Sequence, residues 1–166
     1  MSLVCAAVIS PRNAPVHVQT FGELVGDDDE SADHAVQRTL HCSLDAVEDL
    51  LGRIDRSSIA SASGGSGAAV ATTGRGPKDP YLGPVFQTED HRVHAWVTNT
   101  RARLLLVCED GFGSEPTAET VRGAFKAMQD AYVDAVSDPF ATKEGRIESA
   151  RYARRVAALA TGTHRS

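Results

Sequence analysis

Histidine and cysteine side chains come closest to a reactive arrangement in this 166-residue sequence. His91 and His94 are three positions apart in a segment with strand character, so their rings are expected on opposite faces of a sheet and not on one metal ion; the turn before the strand is an alternative position for His91. Cys42 follows His41 in a segment with helical periodicity, where adjacent side chains diverge by about 100° and cannot act as nucleophile and base. We therefore predict that Cys42 is a small buried thiol.

Glycine-rich and acidic segments add no stronger candidate for catalysis. The stretch GGSGAAVATTGRGPKD lacks the Lys-Ser or Lys-Thr pair that completes a phosphate-binding loop, and no strand leads into it. The carboxylates of Glu48 and Asp49 belong to sequence neighbours, as do those of Glu109 and Asp110, which favours solvation over paired acid and base roles. The sequence thus predicts no catalytic, cofactor-binding or metal site.

Composition and charge favour a protein as the binding partner. The chain is 42% hydrophobic and 23% charged with a formal net charge of -5, which argues against electrostatic capture of nucleic acid. Its three cysteines lie far apart, so a reducing compartment is expected and neither a disulfide framework nor a metal motif is suggested. The initial MSLVCAAVIS is interpreted as a strand and not as a signal peptide. No apolar window approaches the ~20 residues that cross a bilayer, so membrane association is expected to be peripheral.

Hydrophobic periodicity predicts two strands and a long helix in the first half of the chain. Leu3 to Ile9 is an apolar run of strand length, and a turn at Pro11 to Pro15 joins it to the alternating VHVQTF. The next apolar residues recur at helical spacing. They are Val36, Leu40, Leu44, Val47, Leu51 and Ile54. Residues 57–79 are small and polar, and we predict a flexible insertion there within a single domain spanning residues 1–166.

Three further strands and two helices complete the predicted order. The strands are expected near Leu82–Gln87, Arg92–Val97 and Arg103–Cys108, joined by links of hairpin length. A second helix ends before Pro139, and a third begins with Ser149 as its N-cap. Their buried residues are expected to be Val121, Phe125, Met128, Tyr132 and Val136, then Tyr152, Val156 and Leu159. The fold class is α+β: a five-stranded antiparallel sheet in the order ββαβββαα, with one helix on one face and two on the other.

Charge is unevenly distributed along the chain. The region from Glu23 to Asp49 is acidic, whereas the C-terminal segment is basic. The cations of that segment are Lys143, Arg146, Arg151, Arg154 and Arg155. Two interpretations of this basic segment stay open. It is an ordinary helix surface whose cations suit the helix dipole, or it is a docking face for an acidic partner or an anionic membrane surface.

Five segments carry a resemblance to a known family, and they cover nearly the whole chain outside residues 57–79. They are VCAAVISPRNAPVHVQTF, HCSLDAVED, YLGPVFQTEDHRVHAWVTNTRARLLLV, FKAMQDAYVDAVSDPF and RIESARYARRV. Together they resemble the sedlin family of the TRAPP (transport protein particle) tethering complex, most of all its subunit 2-like branch. The predicted order of elements also resembles the longin-like (profilin-like) fold.

The resemblance implies a noncatalytic adaptor subunit of the TRAPP complex, which acts in ER-Golgi and Golgi vesicle-mediated transport and supports complex assembly. Nucleotide exchange on a Rab GTPase would belong to the assembled complex. The implied partners are other TRAPP subunits, with a homodimer left open, and the implied location is cytoplasmic and peripheral at Golgi or ER-Golgi membranes. An alternative with the same fold is a longin-type small subunit of another trafficking adaptor complex. A thiol or metal enzyme that uses Cys42, Cys108 and the histidines is disfavoured by their spacing.

Four residues are candidates for contact with a partner. Asp45 lies beside the apolar stripe of the first helix, where the resemblance also implies an acid; it is a contact residue or a flanking carboxylate that meets His41 one turn back. Phe140 follows a helix-stopping proline and is a core plug or an exposed anchor. Arg146 belongs to the basic segment. Tyr152 is expected in the core with its hydroxyl reaching the surface.

Overall fold

The computed structural model describes residues 2–21, 29–62, 79–109, 116–138, 140, 142–143 and 145–161, without the side chains of residues 29–33, 55–62 and 142–143. The elements of these residues are β1 (Leu3–Ile9), β2 (Pro15–Thr20), α1 (Asp29–Ala62), β3 (Tyr81–Gln87), β4 (His91–Val97), β5 (Arg103–Glu109), α2 (Ala118–Ser137), β6 (Thr142–Lys143), β7 (Arg146–Ile147) and α3 (Ala150–Ala160). The predicted order of five strands and three helices is confirmed. The β6–β7 hairpin was not predicted, because two-residue strands are too short to show a period.

Strands β1 to β5 form one antiparallel sheet in the spatial order β2-β1-β5-β4-β3. The two central strands, β1 and β5, are buried along nearly their whole length, as their continuous apolar runs predicted. At one edge, β3 contains Gly83 with a φ of 84°, and Pro84 follows it. The pairing of β3 with β4 also shifts register twice. Because proline has no N–H to donate, this edge presents an irregular row of hydrogen-bonding groups.

Helices cover both faces of the sheet, and each face has its own core. α1 packs on one face with the apolar stripe that the sequence predicted. α2 and α3 cover the other face, where Phe125, Met128 and Tyr152 are almost fully buried. Burial of one side chain of this kind contributes about 1.5–3 kcal/mol to the free energy of folding, so these two cores hold the helices in place. The expected arrangement of one helix on one face and two on the other is confirmed.

Helix α1 differs from the prediction in its end and in one side chain. It continues to Ala62, so residues 57–62 are helical and do not belong to an irregular insertion. Residues 63–78 lie outside the described residues, and the flexible insertion stays a prediction there. Cys42 is exposed and not buried. It is two positions from both Leu40 and Leu44, which places it on the opposite side of the helix from the core.

The ends of α2 and α3 show which sequence signals were informative. Ser149 is the N-cap of α3, as predicted, and its hydroxyl accepts a hydrogen bond from the Tyr152 N–H at 3.3 Å. In α2, Ala135 takes the buried position that was predicted for Val136, which is 49% exposed. Ala135 lies four residues after Ala131, which is buried, whereas Tyr132 is only half-buried, so the buried stripe of α2 runs through Ala131 and reaches Ala135 instead of Val136. Among the residues described, none of the helices has the length and apolar character that crossing a bilayer requires.

Candidate docking surfaces

The structure places the histidines and thiols in separate surroundings. His94 is buried, with its Nδ1 at 2.9 Å from the Tyr81 hydroxyl, whereas His91 is only half-buried at the start of β4. Burial raises the pKa of the Cys5 thiol to about 12 and that of Cys108 to about 11, so both thiols stay in the neutral, poorly nucleophilic form. Within the described ranges, no three of the His, Cys, Asp and Glu side chains could hold a metal ion together.

The polar groups around Tyr81 attach α2 to the β3–β4 end of the sheet. The Arg122 guanidinium lies 4.9 Å from the centre of the Tyr81 ring and forms an ion pair with Asp79 at 2.7 Å. Nearby, the Trp96 indole N–H donates to the Gln129 side chain at 2.6 Å. Burial raises the pKa of Tyr81, and Arg122 partly opposes this effect. These polar side chains therefore have a structural role, which is to hold α2 against strands β3 and β4.

A groove of about 590 Å³ lies between β2, α1 and β7. Its apolar lining includes Leu40 and Leu44 of α1 together with Val18 of β2. Val18 is opposite Ala7 of β1, on the sheet face that α1 covers, yet it remains 42% exposed because α1 does not cover the edge strand fully. Polar side chains on both walls complete the lining, among them Gln37, His41, Arg146 and Glu148. The groove is therefore an apolar depression with a polar rim, the composition typical of a protein-docking site.

Two of the four candidate residues lie at or beside this groove. Arg146 is exposed and lines it. Asp45 is exposed on α1, one turn beyond His41, which also lines the groove. None of the hydrogen bonds or ion pairs among the described residues joins Asp45 to His41. The contact with His41 that was one interpretation of Asp45 is thus absent from the described part of the chain.

The other two candidates differ from one another in exposure. Phe140 is 95% exposed, so it is an exposed residue and not a core plug. Its backbone N–H donates to the Asp138 carboxylate at 2.9 Å, just after α2 ends. Tyr152 is only 2% exposed and packs edge-on against His17, with 4.8 Å between ring centres. The core position of Tyr152 is confirmed, but the expectation that its hydroxyl reaches the surface is wrong, and its side chain cannot contact a partner directly.

The groove itself was not predicted from the sequence. Val18 was recognised as part of a strand and Ile147 had no assigned element, and nothing in their local patterns shows that they line one cavity with α1. The only signal was indirect, because an apolar residue on an edge strand is incompletely covered. Tertiary structure alone brings these three segments together.

The sheet order and the helices on its two faces define a longin-like α+β domain, and its groove and exposed side chains are of the kind that bind other proteins. The family model described as Sedlin matches residues 8–162, and the chain belongs to the sedlin family.

Relatives of similar length carry one shared name, Trafficking protein particle complex subunit 2-like protein. The protein from Dictyostelium discoideum is 27% identical over 157 residues, which is 95% of this chain and 95% of the relative. The proteins from Taeniopygia guttata and Bos taurus are 25% and 24% identical over 146 residues, in each case 88% of both chains. The resemblance inferred from the sequence motifs is thereby confirmed at the level of the family.

Proposed function

We propose that this chain is a noncatalytic adaptor subunit of a TRAPP-type tethering complex, which supports assembly of the complex in ER-Golgi and Golgi vesicle-mediated transport. The observation that carries the proposal is the match to relatives named as trafficking protein particle complex subunits over 88–95% of both chains. The burial of Cys5 and Cys108 and the contact of His94 with the Tyr81 hydroxyl support a role without chemistry at these groups. Exchange of nucleotide on a Rab GTPase then belongs to the assembled complex.

In this proposal, other TRAPP subunits bind at the groove between β2, α1 and β7. Asp45 and Arg146 are the charged contacts on its two sides, and Phe140 is an apolar anchor outside it. An exposed phenylalanine has a large apolar surface to bury, and aromatic and arginine side chains contribute strongly to protein interfaces. Tyr152 supports the surface from below through its packing against His17 of β2. The chain is cytoplasmic and reaches Golgi or ER-Golgi membranes through its partners.

Affinity purification of the tagged full-length chain from its own cells, followed by mass spectrometry, tests this function. We expect TRAPP subunits to be recovered with the unmodified chain. Recovery of a different trafficking adaptor complex, or of no trafficking subunits, would contradict the proposal.

Substitutions at the groove test the docking residues separately. We expect Asp45→Tyr and Arg146→Glu each to reduce recovery of the partner subunits at least about tenfold, because a bulky ring or a reversed charge is placed at the contact. Asp90→Tyr, in the exposed β3–β4 turn, and Arg53→Glu, exposed on α1 about two turns beyond Asp45, are matched controls that should retain recovery. Circular dichroism of each purified variant checks that it is folded. Normal recovery with both folded groove variants would show that partners bind elsewhere.

A further inference from the structure

The outer surfaces of α2 and α3 lie side by side and carry opposite charges. From residue 130 to its C-cap, α2 has three aspartates and no cation, whereas α3 has three arginines and no acid. The residues of this α2–α3 face are Asp130, Val133, Asp134 and Asp138 on α2 and Arg151, Arg154 and Arg155 on α3. The N-terminal half of α2 is balanced, with Glu119 and Lys126 both exposed.

The charges of the α2–α3 face are poorly compensated within one chain. An ion pair joins Arg155 to Asp134, and the Arg154 Nε donates to the backbone carbonyl of Ala150 in its own helix. No ion pair within the described part of the chain includes Asp130 or Arg151. Aspartates at four-residue spacing repel one another along α2. A cross-chain partner for these groups would relieve that repulsion.

Both helices also carry the charge that their own dipoles disfavour. The aspartates are in the C-terminal half of α2, near its partially negative end, and no basic residue is in its last turn. Arg151 is the second residue of α3, near the partially positive end, and no acid is in its first turn. The sequence-based interpretation of the C-terminal arginines as dipole-compatible is therefore wrong for Arg151. Helix stability alone does not explain this arrangement.

Apolar exposure is concentrated at the same end of α2. Among the described residues, four large hydrophobic side chains are exposed. Three of them are Val133, Val136 and Phe140, which are 52%, 49% and 95% exposed, and the fourth is Val18 in the groove. Val133 lies about one helical turn after Asp130 and next to Asp134, so apolar surface that association can bury accompanies the acidic strip, while Phe140 remains the anchor for partner subunits.

We propose that the α2–α3 face joins two copies of this chain in a symmetric dimer. Because the acidic and basic strips lie on one face of the same chain, a two-fold axis places α2 of each copy against α3 of the other, and acid meets base twice. Val133 then lies within the contact. This interface is on the sheet face covered by α2 and α3, whereas the α1 wall of the groove belongs to the opposite face.

The mass of the purified full-length chain in solution tests the dimer. Sedimentation equilibrium at low salt is expected to give twice the 17.6 kDa of one chain, with dissociation as the salt concentration rises and screens the paired charges. A specific dimer is expected to have a dissociation constant far below about 0.1 mM. The proposal would be overturned by a mass of one chain at low salt and at protein concentrations up to about 0.1 mM.

Charge reversal tests the predicted pairing. The variant Arg151→Glu/Arg154→Glu makes both strips acidic, and Asp130→Lys/Asp134→Lys makes both basic, so each variant alone should dimerise at least roughly tenfold more weakly. Mixed in equal amounts, they should form a heterodimer, because every acidic strip then meets a basic one. Homodimers that persist in either variant, or a mixture that gives no heterodimer, would overturn the proposal.

A folding check and three control variants separate this result from the adaptor proposal. Circular dichroism establishes that the reversed chains are folded, and Arg38→Glu on α1 should dimerise as the unmodified chain does. Asp45→Tyr and Arg146→Glu are also expected to retain the dimer, since both residues lie at the groove. If the chain proves to be a monomer, the purification test of the adaptor function is therefore unaffected.

Discussion

The Arg103 guanidinium of β5 donates to the Glu48 carboxylate of α1 at 3.3 Å, and both side chains also bind Asn13 in the β1–β2 turn. The Asn13 Nδ2 donates to Glu48 at 2.8 Å, while the Arg103 guanidinium donates to the Asn13 side-chain oxygen. The Arg103 side chain is 10% exposed and that of Glu48 is 49% exposed. This cluster joins a turn, a helix and a central strand that are distant in sequence.

Asn13 has a φ of 62°, so its backbone and its side chain can be tested separately. Asn13→Gly keeps the left-handed conformation and removes the two side-chain hydrogen bonds, and we expect the free energy of unfolding to fall by about 1–2 kcal/mol. Asn13→Ala loses the same hydrogen bonds and also strains the backbone, so the free energy of unfolding should fall by roughly 1 kcal/mol more than in Asn13→Gly. Urea denaturation measures both values. An alanine variant as stable as the glycine variant would contradict this account.

The Tyr152 hydroxyl is buried with no hydrogen-bond partner among the described residues. Tyr152→Phe removes only this group, so we expect the free energy of unfolding to stay the same or to rise by up to about 1 kcal/mol. Tyr152→Ala should lower it by about 3–5 kcal/mol through the cavity that it leaves. Tyr81→Phe is the matched control: that hydroxyl is 2.9 Å from the His94 Nδ1, and its loss should cost about 1 kcal/mol. Equal effects of the two phenylalanine variants, in urea denaturation, would count against the prediction.

The three cysteines should differ sharply in reactivity. Cys42 is exposed, whereas Cys5 and Cys108 are buried with a raised pKa, so both access and thiolate formation are restricted. Titration of the native chain with an aromatic disulfide reagent should modify one thiol, and titration in denaturant should modify three. The variant Cys42→Ser should show no rapid reaction when native. Rapid modification of a second thiol in the folded chain would be inconsistent with the described packing.

Stability should decline at alkaline pH. The folded pKa values of Cys5 and Cys108 are about 12 and about 11, above the ordinary value of 9.0, so the folded chain holds these protons more firmly than the unfolded chain. The contribution of these two protonated thiols to the free energy of unfolding is fully present below about pH 9, and it is lost as the pH rises toward their pKa values in the folded chain. Burial raises the pKa of Tyr132 in the same direction. Urea denaturation across this range should show the decline, with a shallower slope for Cys5→Ala; stability that increased would refute the assignment.

Much of the fold was predictable because burial on both sides of a sheet leaves a plain sequence pattern. Leu104, Leu105 and Leu106 are apolar in succession and fully buried, as a central strand requires. The candidate docking surfaces were less predictable, because they depend on contacts between distant segments. Asn13 and Arg103 are 90 residues apart, and no local pattern indicates that they meet. Whether Phe140 is buried or exposed depended in the same way on its tertiary surroundings.

The irregular edge of the sheet at β3 has a consequence for self-association of another kind. An incoming strand would find Pro84 without an amide hydrogen, Gly83 in a left-handed conformation and two interruptions of register. Fibril growth of the amyloid type needs an unbroken template of donors and acceptors at regular intervals. The β3 edge does not offer such a regular template, so its backbone conformation disfavours fibril growth by strand addition to β3.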